Sequence, residues 1–189
     1  MTDRFRQLDV EELDEDQRRA IAPVLEYTGS IEGPFNATLR SARLTETSFT
    51  LGSYLLFETP FSRRMTEIAI LIGARVSNSQ FEWWAHERRA REEGVEGEIC
   101  DALREGRRPA SLSDEESALF DFSVEQLTAP AVSDATFARA KEAFGERGVV
   151  DLSYLLGFYG MIAGVLRMAA VLPPDGAVPL EPMEAPFAT

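Results

Sequence analysis

Residues 65–92 read MTEIAILIGARVSNSQFEWWAHERRARE. In the first half, Met65, Ile68, Ala69 and Ile72 recur every three or four positions, the spacing of a helix with one buried stripe. That helix is predicted to start at a cap on or beside Ser62 and to run through about position 76. Ser77-Asn78-Ser79 supplies a turn, and a second helix follows it, closed by Gly94 as a C-cap residue. A connection this short makes the two helices antiparallel neighbours.

The same stretch carries the residues with chemistry. His86 is the only histidine in the chain. Glu82 lies four positions before it, so both project from one helical face, and Ser79 falls on that face as well. Glu82 sits in the first turn, where the helix dipole favours an ionised carboxylate. Glu67 belongs to the preceding helix, between Met65 and Ile68, where a carboxylate needs a partner or takes up a proton. Glu67 lies ten residues before the turn and His86 seven after it, so rises of roughly 15 Å and 10 Å set them at comparable but not identical depths. Two carboxylates near an imidazole can move protons around neutral pH. The candidate catalytic residues are therefore His86, Glu82 and Glu67, with the principal partner of His86 left open between the two glutamates. The competing reading is a buried Glu–His pair that fixes helix register. Trp83 and Trp84 are adjacent and point in different directions: one belongs to the core, the other to a pocket wall or a subunit contact. Trp83 and Ser79 are carried forward as candidate substrate contacts.

Composition narrows the functional classes. The 189 residues suffice for one domain with a sizeable core, and 44% apolar with 27% charged residues is ordinary for a soluble protein. A net charge of −13 and scattered arginine pairs argue against a nucleic-acid surface. The single cysteine, Cys100, excludes an intrachain disulfide and lies on the apolar phase of a short helix. The charged N-terminus lacks the apolar run of a secretory signal, so a cytoplasmic location is expected. A histidine with one or two carboxylates is a poor zinc set, and no phosphate-cradling loop is present; neither metal nor cofactor is expected.

Elsewhere helical signals recur and strand signals are nearly absent. Capping boxes at Asp14–Gln17 and Ser113–Glu116 open helices, with Pro23 placed to kink the first. Further helices are predicted at 35–41, 45–57, 96–105 and from Ser133 to about 144, followed by a turn at 145–148. The segment 149–172 is apolar all round, but Asp151 and Arg167 leave an uncharged run of about 15 residues, short of the ~20 that span a bilayer. It is read as a long buried C-terminal helix, with Gly157, Gly160 and Gly164 allowing close approach of another helix. Prolines at 173, 174, 179 and 182 make 173–189 an extended tail. The chain is thus one all-α domain over 1–172 plus that tail.

On these residues the chain resembles the carboxymuconolactone decarboxylase and alkylhydroperoxidase D-like superfamily. The match runs from about Gly33-Pro-Phe-Asn36 to Leu172, and its most specific part is Glu67-Ile-Ala-Ile-Leu with Asn78-Ser-Gln-Phe-Glu-Trp-Trp-Ala-His86. The resemblance implies an antiparallel helical domain that forms homotrimers or hexamers. It also implies a small-molecule substrate bound near subunit interfaces; charge and the short uncharged run already argue against nucleic acid and membrane as partners. In the hydroperoxidase branch a Cys-x-x-Cys-x-x-x-His motif follows an upstream glutamate. Here Ser79 and Glu82 stand at the two cysteine positions, while Glu67 and His86 match the glutamate and histidine. A dithiol relay cannot run without two thiols, so the resemblance points to the cysteine-less decarboxylase branch. It implies a cofactor-free lyase acting on a small lactone or carbonyl compound. His86 would donate the proton, Glu82 would orient it, and Glu67 would be a second acid/base group. Arg75 and Arg167 are the candidate cations for an anionic substrate, Arg75 the nearer to the motif. The alternatives are a non-catalytic oligomer and residual hydroperoxide reduction through Cys100.

Overall fold

The computed structural model describes residues 4–174 and 176–187. Among them there are eight α-helices, one short 3-10 turn and no strand. The helices are α1 (Glu15–Thr28), α2 (Pro34–Thr38), α3 (Ala42–Phe57), α4 (Arg63–Val76), α5 (Gln80–Glu92), α6 (Gly97–Arg104), α7 (Asp114–Thr128) and α8 (Asp134–Ala169).

Both expected capping boxes form. The Asp14 carboxylate accepts from Gln17 N at 2.8 Å while Gln17 Oε1 accepts from Asp14 N at 3.1 Å, and Ser113 and Glu116 repeat the exchange. Pro23 sits inside α1 without ending it. Asn78 adopts φ 51° in the α4–α5 turn, a left-handed conformation that asparagine tolerates. It lets Ser79 N donate back to Ala74 O at 2.9 Å, closing α4 and reversing the chain.

α4 is the most enclosed element: every residue from Met65 to Arg75 is buried. It packs against α5, α7, α8 and α6 around Ile68, Leu71, Trp83, Ile99, Leu119 and Leu152. A second, smaller cluster joins Leu13, Ile21, Val24, Ile31 and Leu39 where α1, α2 and α3 meet. The C-terminal helix is long, as expected, and includes the predicted break in a reduced form: only Gly145 leaves helical geometry, at φ 69°, where a side chain would be strained. Its second half buries one face through Leu152, Leu155, Tyr159, Ala163 and Leu166. The opposite face leaves Val150, Tyr154, Met161 and Met168 exposed in the single chain, so the uniformly apolar sequence corresponds to two distinct surfaces. Among its described residues the proline-rich tail has no helix or strand but docks on the body: Leu180 is buried and exchanges two hydrogen bonds with the Gln80 side chain.

Candidate functional site

α4 and α5 bring Glu67 and His86 into contact across their antiparallel interface. Glu67 Oε2 lies 2.7 Å from His86 Nδ1, and both residues are buried. One turn before Glu67, Arg63 Nη2 donates to the other carboxylate oxygen, Oε1, at 2.5 Å. Burial alone would push the Glu67 carboxyl upward, but the adjacent ring and the Arg63 guanidinium hold it below the usual carboxylate range. Burial also lowers the imidazole below its ordinary value, with Glu67 opposing. Glu67 is thus an ionised acceptor, which assigns the proton of a neutral His86 to Nδ1 and leaves the lone pair on Nε2. The principal partner of His86 is Glu67, and the orienting role expected for Glu82 passes to it.

Glu82 has a different environment. It is 3% exposed, and neither carboxylate oxygen has a hydrogen-bond partner among the described residues. Ser79-x-x-Glu82 has the spacing of a capping box, yet Ser79 makes no side-chain cap and its hydroxyl is likewise unpartnered. Burial pushes the Glu82 carboxyl up to about 8; the Ser79 hydroxyl is near enough to oppose this weakly but does not meet hydrogen-bond geometry with either oxygen. At neutral pH Glu82 is therefore a carboxylic acid that can donate. Leaving such a group unsatisfied costs about 1–3 kcal/mol, a cost that a substrate partner would remove.

His86 and Glu82 both line a cavity of about 600 Å³ between α1, α2 and α3 on one side and α5 and α8 on the other. That volume suits a small organic molecule. Its walls are largely aromatic and aliphatic, with Phe35, Phe49, Phe81, Trp84, Phe158 and Ile162 among them. Tyr159 also lines it and meets the His86 ring edge-to-face, with centroids 5.0 Å apart. Burial, followed by the charge of Glu67, raises the Tyr159 phenol, so it stays protonated.

Three solved structures share the fold that carries this cavity. An uncharacterised peroxidase-related protein from Ralstonia eutropha, described as an alkylhydroperoxidase D core, matches with a TM-score of 0.80 over 92% of this chain and 93% of its own, at 17% identity. A peroxidase-related protein from Silicibacter gives 0.77 over 92% and 95%, at 18% identity. A candidate antioxidant-defence protein of unknown function from Agrobacterium tumefaciens gives 0.68 over 76% and 99%, at 14% identity. The fold is that of the alkylhydroperoxidase D-like proteins. No protein-family model and no curated protein matches the sequence.

Within this alkylhydroperoxidase D-like fold, the expected site residues separate into two groups. His86 and Glu82 face the cavity, and Glu67 stands directly behind His86. Ser79 is buried at the start of α5 and is not among the lining residues. Trp83 and Arg75 are corrected as cavity groups. Trp83 is fully buried in the core with its Nε1 donating to Glu87 Oε2 at 2.8 Å, and it is Trp84 that lines the cavity. Arg75 is 1% exposed and donates to Arg104 O, Asn78 Oδ1 and Glu181 O, tying the tail to the α4–α5 turn. Cys100 is sealed in the core and burial pushes its thiol up. Arg63, Arg89 and Tyr159 were not singled out from the sequence, whereas Trp84 is the member of the tryptophan pair that walls the cavity. Arg63 had a local signal in its four-residue spacing to Glu67, and Trp84 in its phase with Phe81 and Arg88. Tyr159, on a distant helix, had none.

Proposed function

We propose that the protein catalyses cofactor-free proton transfer on a small lactone or carbonyl substrate, as a decarboxylase or isomerase, with no dithiol peroxidase activity. The observation that carries this reading is the cavity, which reaches both His86 and Glu82. A merely structural Glu–His pair requires no opening at the ring. Nor does it explain a second buried carboxyl left without partners.

The two groups are pushed to opposite roles, a recurrent sign of acid–base chemistry. His86, held by Glu67 at Nδ1, presents Nε2 as a base that removes a proton from carbon next to a carbonyl. Glu82 supplies a proton to the oxygen or to the carbon that receives the electron pair. In a decarboxylation, the C–C bond electrons of the substrate carboxylate pass to the carbonyl as carbon dioxide leaves, Glu82 then protonates the resulting enolate carbon, and solvent returns the proton to Glu82. Positions four apart on one helix hold the two groups within one small substrate's reach, with Cβ atoms about 6 Å apart.

The test is a panel of β-keto acids and β,γ-unsaturated lactones incubated in deuterated buffer, followed for carbon dioxide release and carbon-bound deuterium. Turnover is expected to rise with pH as His86 loses its proton, below the ordinary imidazole range, and to fall as Glu82 ionises near pH 8. A rate flat from pH 5 to 9, or no turnover of any panel member, would overturn the proposal.

A further inference from the structure

Among the described residues, the cavity holds one cation with no carboxylate in ion-pair contact, although its charge reaches the buried Glu67 carboxylate behind His86. Arg88 and Arg89 both line it, as do the carboxylates Glu26 and Glu32. Arg88 is exposed and its guanidinium lies 3.7 Å from Glu92. Arg89 is half-buried, and among the described residues no carboxylate lies within ion-pairing distance of it. Its guanidinium instead lies 5.9 Å from the Tyr27 ring centroid, at the cavity wall. Arg89 follows His86 by three positions on α5, a rise of about 4.5 Å, so it shares the face that presents the imidazole.

A guanidinium free of ion-pair contact beside an aromatic wall is a receptor for a planar anion, because its fork matches a carboxylate and the ion itself is weakly hydrated. The other charged lining groups favour a single negative charge: Arg88 is exposed and faces Glu92, and Glu26 and Glu32 add negative charge at the rim. Phe35, Phe49, Phe81, Trp84 and Phe158 supply flat apolar surface for the remainder. We infer that the substrate of the proton-transfer site is an amphipathic monocarboxylate with an aromatic or similarly apolar body. Its carboxylate sits on Arg89 and its reacting carbons lie towards His86 and Glu82. This rests on the proposed reaction for the word substrate, but the binding preference stands by itself.

Binding is therefore the readout. Quenching of the cavity tryptophan is followed on titration of the full chain with 2-naphthoate and with neutral 2-naphthamide. Naphthoate is expected to bind about tenfold or more tighter than the amide, and Arg89→Gln to remove that difference while leaving naphthamide binding unchanged. Arg88→Gln is expected to keep the preference. Equal binding of the two probes by the wild type, an Arg89→Gln variant that still prefers naphthoate, or no naphthoate binding at millimolar concentration would overturn the inference. If the preference holds but no panel compound is turned over, the reaction is wrong and the anion site is right. If a panel compound is turned over with no charge preference, the anion site is wrong and the reaction is right.

Discussion

Replacing His86 with Gln is expected to lower turnover by about 10²–10⁴-fold, the usual contribution of a positioned acid or base. Glutamine fills a similar volume and its amide can donate to Glu67 as Nδ1–H does, so the ion pair of Glu67 with Arg63 is preserved. What disappears is the Nε2 lone pair at the cavity. Circular dichroism and the mass in solution check that the variant remains folded and assembled as the wild type is. Rates unchanged in such a variant would remove His86 from the chemistry and return the Glu67–His86 contact to a structural role.

Replacing Glu82 with Gln is expected to stabilise the protein, and increasingly so as the pH rises. The folded carboxyl titrates near 8 against an ordinary value of 4.5, because burial disfavours the anion. A raised carboxyl keeps its full stabilising contribution below pH 4.5. It loses that contribution as the pH climbs towards 8, because the unfolded chain ionises first. Between pH 5 and 8 the wild type should lose about 3 kcal/mol relative to a variant that does not titrate there. For a chain of this size that is a difference of roughly 10 °C in midpoint temperature. Thermal melts of both proteins at pH 5 and pH 8 measure it, with turnover falling in the same variant. Parallel pH dependence in the two proteins would show that Glu82 is ionised or solvated in the folded state. A gain in stability that accompanies lost activity is the pattern expected where an active site keeps an unsatisfied group.

The helical scaffold was legible because its signals are local. Capping residues at Asp14, Ser62, Ser113 and Ser133, the Ser77-Asn78-Ser79 turn and the apolar stripe of α4 each act within a few residues. The identities of His86, Glu82 and Glu67 were legible for the same reason: charge inside an apolar run stands out. Their pairing was not. The residues left the partner of His86 open, and the resemblance gave Glu82 the orienting role; spacing sets only which face two side chains share. The neighbouring helix delivers Glu67 to the ring, a contact no local spacing encodes. Arg75 shows the limit of local reading most plainly, since one of its acceptors, the Glu181 carbonyl, lies 106 positions along the chain. The apolar segment 149–172 misled in a different way, because composition does not distinguish the face packed on α4 and α7 from the face left open.

Because His86 is the only imidazole, one long-range ¹H–¹⁵N correlation spectrum of uniformly labelled protein at pH 7 reads its state without assignment. A neutral ring is expected, protonated at Nδ1 and bare at Nε2, converting to the cation only below the ordinary imidazole value. An imidazolium at pH 7, or a neutral ring with the proton on Nε2, would mean that no base faces the cavity and would contradict the proton-transfer mechanism.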